Sequence, residues 1–564
     1  MSRPTKKSRA VAGAHDELPD GGGRDRLSDL PDGVLGHVLS FLPLPDAVRS
    51  SELSRRWRGA WTHATALNLS DGQLQDRFLC FAGAALARYG GTGGSIPALN
   101  VTIGCRSNLG PATVAWLHDA MERVAGSIRV SVTAPGPLHL RTLPRRMKAR
   151  SISLRLSGIV FYSGDLDLQE TGGSAALGGL TELSLSAVHL PEGVRPFGEF
   201  LSSCCPRLRK LRLDRVSYGK GPWLWPLVLH MDLLEELELE SIERCGELQV
   251  ASANLRVLVV RFCFGSSVHR GKNHVVQISA PRLEAITWSD GDPIPAKHLS
   301  FIIDSGCRVR RLAGLRFYLA REESWSTSAM KLLAACSGVD HLSVCIDIPE
   351  HTRTSMFTQE NLEYVPQLPN IGFLSVRVVA VLRFMRCTVA PSIFSFLRRC
   401  PNLTRLHIDL SMLHQSSRLN PELLMVPKDD DEPKVAELQQ ISDHGLCKLQ
   451  GNQLELDALQ EIRINGFMGT EHEMEVAELL FGVGATRPAL ERISVSFPQL
   501  RQCMNRSLPS EVGATRSAFK MASVSFPRLW RHMDGISAKM RAQFPLADGC
   551  WETNPRKGLT WTRT

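Results

Sequence analysis

The chain lacks the sequence features that mark most enzymes. It has no GxSxG pattern, which would place a nucleophilic serine on a sharp turn. The glycine-rich segment 482–487 faintly resembles a phosphate-binding loop, but it lacks the Lys-Ser/Thr ending. His472-Glu473 has no second histidine at the spacing of a zinc-binding helix. We therefore predict a non-catalytic protein with no catalytic residues, metal site or cofactor.

Long apolar runs and paired cysteines are also missing. No run approaches the ~18 apolar residues that a helix needs to cross a bilayer, and residues 1–24 are polar, with no apolar signal-peptide core. The 14 cysteines form no CxxC pair and no regular metal-ligand spacing. We expect reduced thiols, no membrane partner, a disordered tail over 1–24, and a location in the cytoplasm, the nucleus or both.

Strong net charge is absent as well, since the chain carries only +9 over 564 residues. Its densest basic cluster consists of Arg141, Arg145, Arg146, Lys148 and Arg150. Such a cluster can meet an acidic partner or nucleic acid. No aromatic residues or nucleic-acid motif accompany it, which favours a solvated loop, so we expect no nucleic-acid partner.

What the chain does have begins with three short amphipathic helices, predicted within residues 25–61. Ser28 or Asp29 can cap the first helix, Pro31 falls near its first position, and Ser54 can cap the third. Fewer than forty residues bury too little surface to be stable alone. The segment is therefore either part of a larger domain or a module that docks on a partner's apolar surface. One apolar face of the first helix is predicted to contain Leu30, Val34, Leu35, Val38, Leu39 and Leu42.

The residues of this segment resemble the F-box of plant F-box proteins. The resemblance implies docking to a Skp-type adaptor and, through it, to the cullin and RING subunits of a ubiquitin ligase. Gly33 and Gly36 replace better helix formers, each at a cost of about 1 kcal/mol relative to Ala, and Glu52 stands where an apolar residue is common. The matching residues are Asp25, Leu27, Ser28, Leu30, Pro31, Asp32, Leu39, Ser40, Phe41, Leu42, Pro43, Asp46, Ala47, Val48, Leu53, Ser54, Arg56, Trp57, Arg58 and Trp61. The implied adaptor-binding set is Leu30, Pro31, Val34, Leu35, Val38, Leu39, Leu42, Leu44, Ala47, Val48, Leu53 and Trp57.

An internal repeat, L-x-x-L-x-L, fills most of the remaining chain. Its intervals are 21–32 residues, except for one of 56 that we interpret as two units with one degenerate. The copy that starts at Val309 has Gly314 at its third position, and weak copies are visible at Val101/Ile103 and Leu154/Leu156. The clear copies start at Leu180, Leu208, Leu234, Leu255, Leu283, Val309, Val339, Ile371, Leu403, Leu459 and Leu490.

Each repeat is predicted to be one short strand followed by a returning helix, and the units stack because none can bury its apolar face alone. This resembles the leucine-rich repeats that follow the F-box in many plant proteins. The predicted fold class is α/β, a three-helix F-box followed by a leucine-rich-repeat solenoid with a curved parallel sheet and outer helices. The predicted organisation is a tail (1–24), the F-box (25–63), a linker or first helices (64–94), the repeats (95–530) with a charged insertion (415–456), and a C-terminal cap or tail (531–564).

Several residues are predicted to fill the interior of this solenoid. Cys205, Cys336 and Cys400 stand three residues before a repeat leucine, where a small apolar thiol suits the turn better than a metal site. Trp288 falls on an inward position. Aromatic residues of the tail are predicted to cap the last repeat, namely Phe526, Trp530, Trp551 and Trp561.

The residues that alternate with the repeat leucines face outward on the sheet and form the predicted target surface. Lys210 is predicted to lie beside Glu236, and Arg212 beside Glu238. The glutamates then form either a structural charge ladder or an acidic stripe that binds a basic target. The segment 428–434, KDDDEPK, is either a disordered insertion or a target-binding element. The candidate surface comprises Lys210, Arg212, Glu236, Glu238, Glu240, Arg261, His341, Arg377, Arg405, His407, Arg463 and Arg492.

Three functions fit these features. The chain is a target receptor of a ubiquitin ligase, a binding scaffold that acts outside the ligase, or a small-molecule co-receptor. The third function requires a cluster of Lys and Arg on adjacent strands. The sequence offers only a set that looks dispersed, Arg377, Arg405, Arg463 and Arg492, so this function ranks last. The target protein itself cannot be named from the sequence.

Overall fold

A computed structural model describes most of the chain between residues 30 and 563. The predicted tail over 1–24, the caps Ser28 and Asp29, the segment 428–434, Phe526 and Trp530 lie outside the described residues. The gaps are 75–76, 91–94, 105–110, 135–142, 145, 159–163, 168–176, 192–195, 220–222, 265–272, 290–297, 319–327, 349–365, 381–388, 412–455, 482–488, 498–533, 545, 547–548 and 555–557.

Three short helices open the described chain: α1 (Asp32–Leu39), α2 (Leu44–Arg49) and α3 (Trp57–Ala60). Pro31 is the N-cap of α1 rather than a residue inside it, and its carbonyl oxygen accepts hydrogen bonds from the Val34 and Leu35 N–H groups at 2.9 and 3.0 Å. A proline costs nothing at this place because the cap needs no N–H donor. Ser54 does not cap α3, which Arg56 precedes directly.

Fifteen parallel strands form the main sheet of the described chain, with the two-residue strand β5 (Gly164–Asp165) beside β6. The predicted repeats and both weak upstream copies are strands of this sheet, which confirms the solenoid. The strands are β1 (Leu67–Ser70), β2 (Ile96–Ile103), β3 (Val124–Ala134), β4 (Ser151–Gly158), β6 (Glu182–Leu190), β7 (Lys210–Tyr218), β9 (Glu236–Glu240), β11 (Val257–Arg261), β13 (Ala285–Ser289), β15 (Arg311–Tyr318), β16 (His341–Ile348), β17 (Phe373–Ala380), β18 (Arg405–Asp409), β19 (Glu461–Asn465) and β20 (Arg492–Ser496).

One apolar residue of each strand lies in register with its neighbours, which produces a continuous buried row, the first core row. A second row runs two residues further along each strand. In β15 the bulge at Gly314, whose φ is +78°, delivers Leu315 rather than Gly314 to the second row. The first core row is Leu67, Leu99, Ile128, Ile152, Leu183, Leu211, Leu237, Leu258, Ile286, Leu312, Leu342, Leu374, Leu406, Ile462 and Ile493.

The interval of 56 residues does not hide a degenerate repeat, so that interpretation was wrong. Strand β18 pairs directly with β19, with Leu406 opposite Ile462. The Leu410 N–H also donates to the Asn465 carbonyl at 2.9 Å. A missing repeat would have placed a strand between them, so the extra length belongs to one connection.

The sequence analysis predicted a helix as the returning segment of every repeat. In part of the solenoid the returning segment is a strand instead. Between β7 and β15 the returns are four strands that form a second parallel sheet: β8 (Trp225–His230), β10 (Cys245–Ala251), β12 (His274–Ser279) and β14 (Leu299–Ile303). These returns alternate buried and more exposed residues, as in Trp225–His230, which is the period of a strand. A strand also covers the return path with fewer residues, because it rises ~3.3 Å per residue and a helix ~1.5 Å.

Helices serve as the return in several other repeats, and two of them contact the edge strands β8 and β14 of the second sheet. Before β7 they are α4 (Asp71–Leu74), α5 (Phe78–Gly90), α6 (Pro111–Glu122) and α7 (Phe197–Cys204); after β14 they are α8 (Ser328–Ala335), α9 (Val389–Leu397) and α10 (Glu471–Phe481). Glu473 is buried in α10 because it caps the start of the helix. Its Oε2 atom accepts hydrogen bonds from the Met468 and Thr470 N–H groups at 2.8 and 3.0 Å.

Both ends of the main sheet are covered. An antiparallel hairpin, β21 (Gly549–Asn554) and β22 (Gly558–Arg563), pairs with β20 at the C-terminal end. Trp561 is buried opposite Ile493, and the Trp551 Nε1–H donates to the Phe544 carbonyl at 3.2 Å. These two predicted cap aromatics therefore cover the last repeat.

The N-terminal helices join the sheet instead of standing apart from it. The amide of Asn68 in β1 donates to the carbonyl oxygens of Ser40 and Leu42 at 2.6 and 3.0 Å, and the Tyr89 hydroxyl donates to Ala64 O at 2.7 Å. One hydrophobic core runs from Leu35 through the repeats. Of the two alternatives for the segment 25–61, its described part packs on its own chain as part of a larger domain. The range 64–94, predicted as a linker or first helices, also contains β1.

The predicted inward residues are buried. Trp288 stacks on Phe264 with ring centroids 5.5 Å apart. Cys205, Cys336 and Cys400 are buried, and burial raises the pKa of each thiol to about 12.

We expect these three cysteines to resist iodoacetamide in the native chain at mildly alkaline pH, whereas the exposed Cys80 and Cys550 are alkylated. The thiolate is the reactive species, so burial and a raised pKa both suppress the reaction. Mass spectrometry of peptides after a timed pulse measures each site, and a urea-unfolded sample should be labelled throughout. Labelling of Cys205 as fast as that of Cys80 would contradict this packing.

Candidate functional site

The residues of α1 divide into two faces, where the sequence predicted one. Leu35 and Leu39 lie in the core, whereas Val34 and Val38 each keep 44% of their surface exposed. The helix is apolar on both sides, so its burial follows from the elements that pack on it. Of the predicted adaptor-binding set, the core holds Leu35, Leu39, Leu44, Ala47 and Trp57, which cannot contact a partner in this conformation and instead shape the surface above them.

The exposed side of α1 and of the turn that follows it carries an apolar stripe, which we call the docking stripe: Val34, Val38, Phe41 and Leu42. Val34 and Val38 lie one turn apart on α1, and the N–H groups of Phe41 and Leu42 donate to the Val38 and Leu39 carbonyls at 3.3 and 3.1 Å in the turn that continues it. Phe41 is 74% exposed and packs its ring edge against His37 at 5.0 Å. Leu53, 70% exposed, is a further apolar residue in this region of the chain. An exposed apolar patch of this kind marks an interaction site.

Phe41 was missing from the predicted adaptor-binding set, although the family match included it. The signal that could have found it is its spacing, three residues after Val38 and seven after Val34. Leu30 and Val48 are half-buried and Pro31 is exposed. Contact of these residues with an adaptor stays a prediction.

Polar bonds hold the start of α1 against α3. The Arg56 guanidinium donates to Asp32 Oδ1 at 3.1 and 3.2 Å, and also to the Leu30 carbonyl oxygen. This arginine therefore fixes the Leu30-Pro31 turn from which the docking stripe begins.

Gly36 has a packing role that the sequence did not reveal. A Cβ atom at this position would lie 2.3 Å from the His63 carbonyl oxygen, whereas a Cβ atom at Gly33 would meet nothing within 4 Å. Gly36 is therefore required where α1 meets the turn at Trp61–His63, and Gly33 is not.

A shallow hollow of ≈ 430 Å³ lies beside α3, lined by Val48, Glu52 and Arg88 together with Arg55 and Arg58. Glu52 is exposed at its rim. Glu52 replaces an apolar residue that is common in the F-box, and this replacement lies on the surface, not in the core.

The second candidate surface is the open face of the main sheet, formed by the residues that alternate with the core rows. In β9, Leu237 and Leu239 are buried while Glu236, Glu238 and Glu240 face the other side. The predicted pairings are confirmed, since Lys210 Nζ lies 3.0 Å from Glu236 and Arg212 lies 3.2 Å from Glu238.

The three glutamates form a charge ladder, because cations lie on both sides of them. Arg261 approaches Glu238 at 3.2 Å and Glu240 at 3.8 Å, and Arg212 approaches Glu240 at 3.8 Å. The hydrogen bond with Glu236 also raises the pKa of Lys210. This arrangement favours the structural interpretation over an acidic stripe.

The four arginines that looked dispersed in the sequence lie on four adjacent strands, β17 to β20. Arg377 pairs with Asp409 at 3.1 Å, and Arg463 pairs with Glu461 at 3.2 Å. Arg405 places its guanidinium 5.3 Å from the ring centroid of Phe373. The small-molecule co-receptor hypothesis required Lys and Arg residues on adjacent strands, and these four arginines do lie on adjacent strands. Two of them, Arg377 and Arg463, form ion pairs within the sheet.

Two titratable residues beside these arginines are shifted. Burial and the nearby Arg463 charge lower the pKa of His407, which favours the neutral ring. Burial would raise the pKa of Asp409, but hydrogen bonds from Ser411 and Arg377 outweigh it and lower the pKa. The ion pair with Arg377 is thus a fixed part of the sheet.

Comparison with known proteins agrees with this architecture. The F-box domain family model matches residues 27–64, which contain α1 to α3 and the docking stripe. The chain therefore carries an F-box domain, and over its length it is similar to F-box/leucine-rich-repeat proteins of plants.

Its relatives extend over the repeats as well. An F-box/FBD/LRR-repeat protein of Arabidopsis thaliana is 25% identical over 411 residues, which are 69% of this chain and 80% of the relative. An FBD-associated F-box protein of Arabidopsis is 24% identical over 477 residues, 81% of this chain and 84% of the relative. An F-box/LRR-repeat protein of Arabidopsis is 29% identical over 203 residues, 33% of this chain and 49% of the relative. These likenesses indicate a non-catalytic, adaptor-type protein.

Two further observations concern only the described residues. Among them, no group of three or more His, Cys, Asp or Glu side chains is arranged to hold a metal ion. No described helix combines the length and the apolar character needed to cross a membrane.

Proposed function

We propose that this F-box/leucine-rich-repeat chain is the target-recognition subunit of a Skp–cullin–RING ubiquitin ligase. The docking stripe binds the Skp-type adaptor, and the open face of the main sheet binds the target protein. The observation that carries the proposal is the exposed apolar stripe on α1, within the segment that matches the F-box family. An apolar helix face that stays exposed among the described residues suits insertion between the helices of another protein.

The continuous core supports the same proposal. Because α1 to α3 and the repeats share one hydrophobic core, a bound target is held in a defined position relative to the adaptor. Ubiquitin transfer by the other subunits then gains from proximity, and this chain needs no catalytic residue of its own.

The proposal is tested by proximity labelling in plant cells treated with a proteasome inhibitor. The intact chain is compared with Val34→Glu/Val38→Glu, which alters only the docking stripe. A ligase subunit should label adaptor and cullin only when intact, and its targets should accumulate ubiquitin only then. Loss of adaptor labelling with unchanged ubiquitination of every other partner would instead favour a scaffold that acts outside the ligase.

A further inference from the structure

The open face changes character along the main sheet. On β7 to β11 each described cation of the ladder faces a glutamate, as with Lys210 and Glu236. On β15 to β20 one register row reads Arg311, His341, Phe373, Arg405, Glu461 and Arg492. This second half of the sheet is richer in positive charge than in negative charge.

Three arginines of that row have no ion pair with a described residue. Arg311, Arg405 and Arg492 are exposed and form no salt bridge with any described residue. Glu461 stands between Arg405 and Arg492 on this row, and its carboxylate forms an ion pair with Arg463 at 3.2 Å. The negative charge of Glu461 is therefore already neutralised. Since adjacent strands lie ~4.8 Å apart, Arg405 and Arg492 originate about 10 Å from one another.

Phe373 stands on the same row between His341 and Arg405. His341 stacks on its ring at 5.4 Å with the planes 28° apart, and the Arg405 guanidinium lies 5.3 Å from its centroid on the next strand. The Phe373 ring is not required for the core, which Leu374 fills from the opposite face. The ring therefore offers an apolar contact beside the positive charge of Arg405.

We infer that His341, Phe373, Arg405 and Arg492 form the target-binding patch and that it takes an acidic protein segment with an apolar or aromatic side chain. The apolar side chain packs on Phe373 while carboxylates reach Arg405 and Arg492. This inference rests on the proposed function for its biological meaning. Charge complementarity selects the occupant, because unpaired guanidinium groups bind carboxylates strongly.

A protein segment fits this patch better than a nucleic acid. Asp409 and Glu461 already engage Arg377 and Arg463, which leaves Arg405 and Arg492 as the two cations on β17 to β20 without an ion pair to a described residue. A phosphate backbone carries a charge at every nucleotide and gains most from a continuous run of cations. A peptide can place its few carboxylates at the spacing of these two arginines.

Fluorescence anisotropy on the full chain bound to its adaptor tests the inference. The probe is a labelled peptide with two glutamates on each side of one phenylalanine. One matched peptide replaces all glutamates by glutamine, and the other replaces the phenylalanine by serine. A single-stranded oligonucleotide of equal charge tests whether nucleic acid binds more tightly than the acidic peptide. We expect binding of the acidic peptide that weakens with salt, and affinity for both matched peptides lower by about tenfold.

Variants then locate the site. Arg405→Glu/Arg492→Glu and Phe373→Ser should each weaken the acidic peptide by about tenfold. The control Arg129→Glu/Arg207→Glu makes the same charge change at exposed arginines outside the patch and should leave binding within about twofold, because these sites lie beyond screened electrostatic reach. Thermal unfolding of each variant shows that it is folded.

The outcomes separate this inference from the proposed function. Equal binding of the glutamine peptide, an unchanged affinity in Arg405→Glu/Arg492→Glu, or tighter binding of the oligonucleotide overturns the inference even if the adaptor is bound. Peptide binding that persists in a chain that fails to bind the adaptor supports the patch and counts against the ligase role.

Discussion

Val34→Glu/Val38→Glu is expected to lower the affinity of the chain for a Skp-type adaptor by about 100-fold or more. Both side chains are 44% exposed on the docking stripe, so they contribute little to the core. Burying a valine side chain is worth about 1.5–3 kcal/mol, and burying an unpaired carboxylate instead adds a penalty. A loss of about 2.7 kcal/mol already corresponds to 100-fold. Isothermal titration with recombinant adaptor measures the change.

The control for this variant is Ile302→Glu. Ile302 is 50% exposed on β14, so it receives the same chemical change away from α1 and should bind the adaptor normally. The free energy of unfolding of both proteins should stay within about 1 kcal/mol of the wild type, as for exposed positions generally. An adaptor affinity that survives both glutamates would remove the docking stripe from the interface.

Gly36→Ala is expected to destabilise the chain by about 3 kcal/mol, the upper range for overpacking. The new methyl group would lie 2.3 Å from the His63 carbonyl oxygen. Backbone at that distance cannot move aside without shifting α1 away from Trp61, which is buried in the same core. Urea unfolding followed by tryptophan fluorescence measures the loss.

Gly33→Ala is the matched variant, because it makes the same change one helical turn earlier in α1. Nothing lies within 4 Å of its added methyl group, so only the helix preference acts, and stability should rise by up to about 1 kcal/mol. Equal effects of the two alanines would mean that Gly36 is no more than a poor helix former.

The main sheet could be predicted because its signal is carried by single residues. Leucine or isoleucine recurs at fixed positions, and the first core row is built from those residues. The pairing of Lys210 with Glu236 followed from the same register. Strands β1 and β3 were missed because neither has the leading leucine of the L-x-x-L-x-L pattern: Ala64 stands three residues before Leu67, and Ala125 stands three residues before Ile128.

Other features depended on packing that the sequence does not display. Both faces of α1 carry apolar residues, so the position of α3 and of the turn Trp61–His63 decides that Leu35 is buried and Val34 is not. The second sheet replaced expected helices because the short returns between β7 and β15 alternate at the period of a strand. The target-binding patch could not be predicted, because the fold places residues more than thirty positions apart, such as Phe373 and Arg405, on neighbouring strands.

The direct pairing of β18 with β19 makes the sheet independent of what connects them. Leu406 faces Ile462 with no strand between them, so the register of the sheet across this junction is set by β18 and β19 themselves. In general, lengthening the connection between two paired strands adds only a modest entropic cost of loop closure. The same property makes this connection a natural graft point for a reporter, and a protease cut within it would leave two fragments joined as one assembly by their strands.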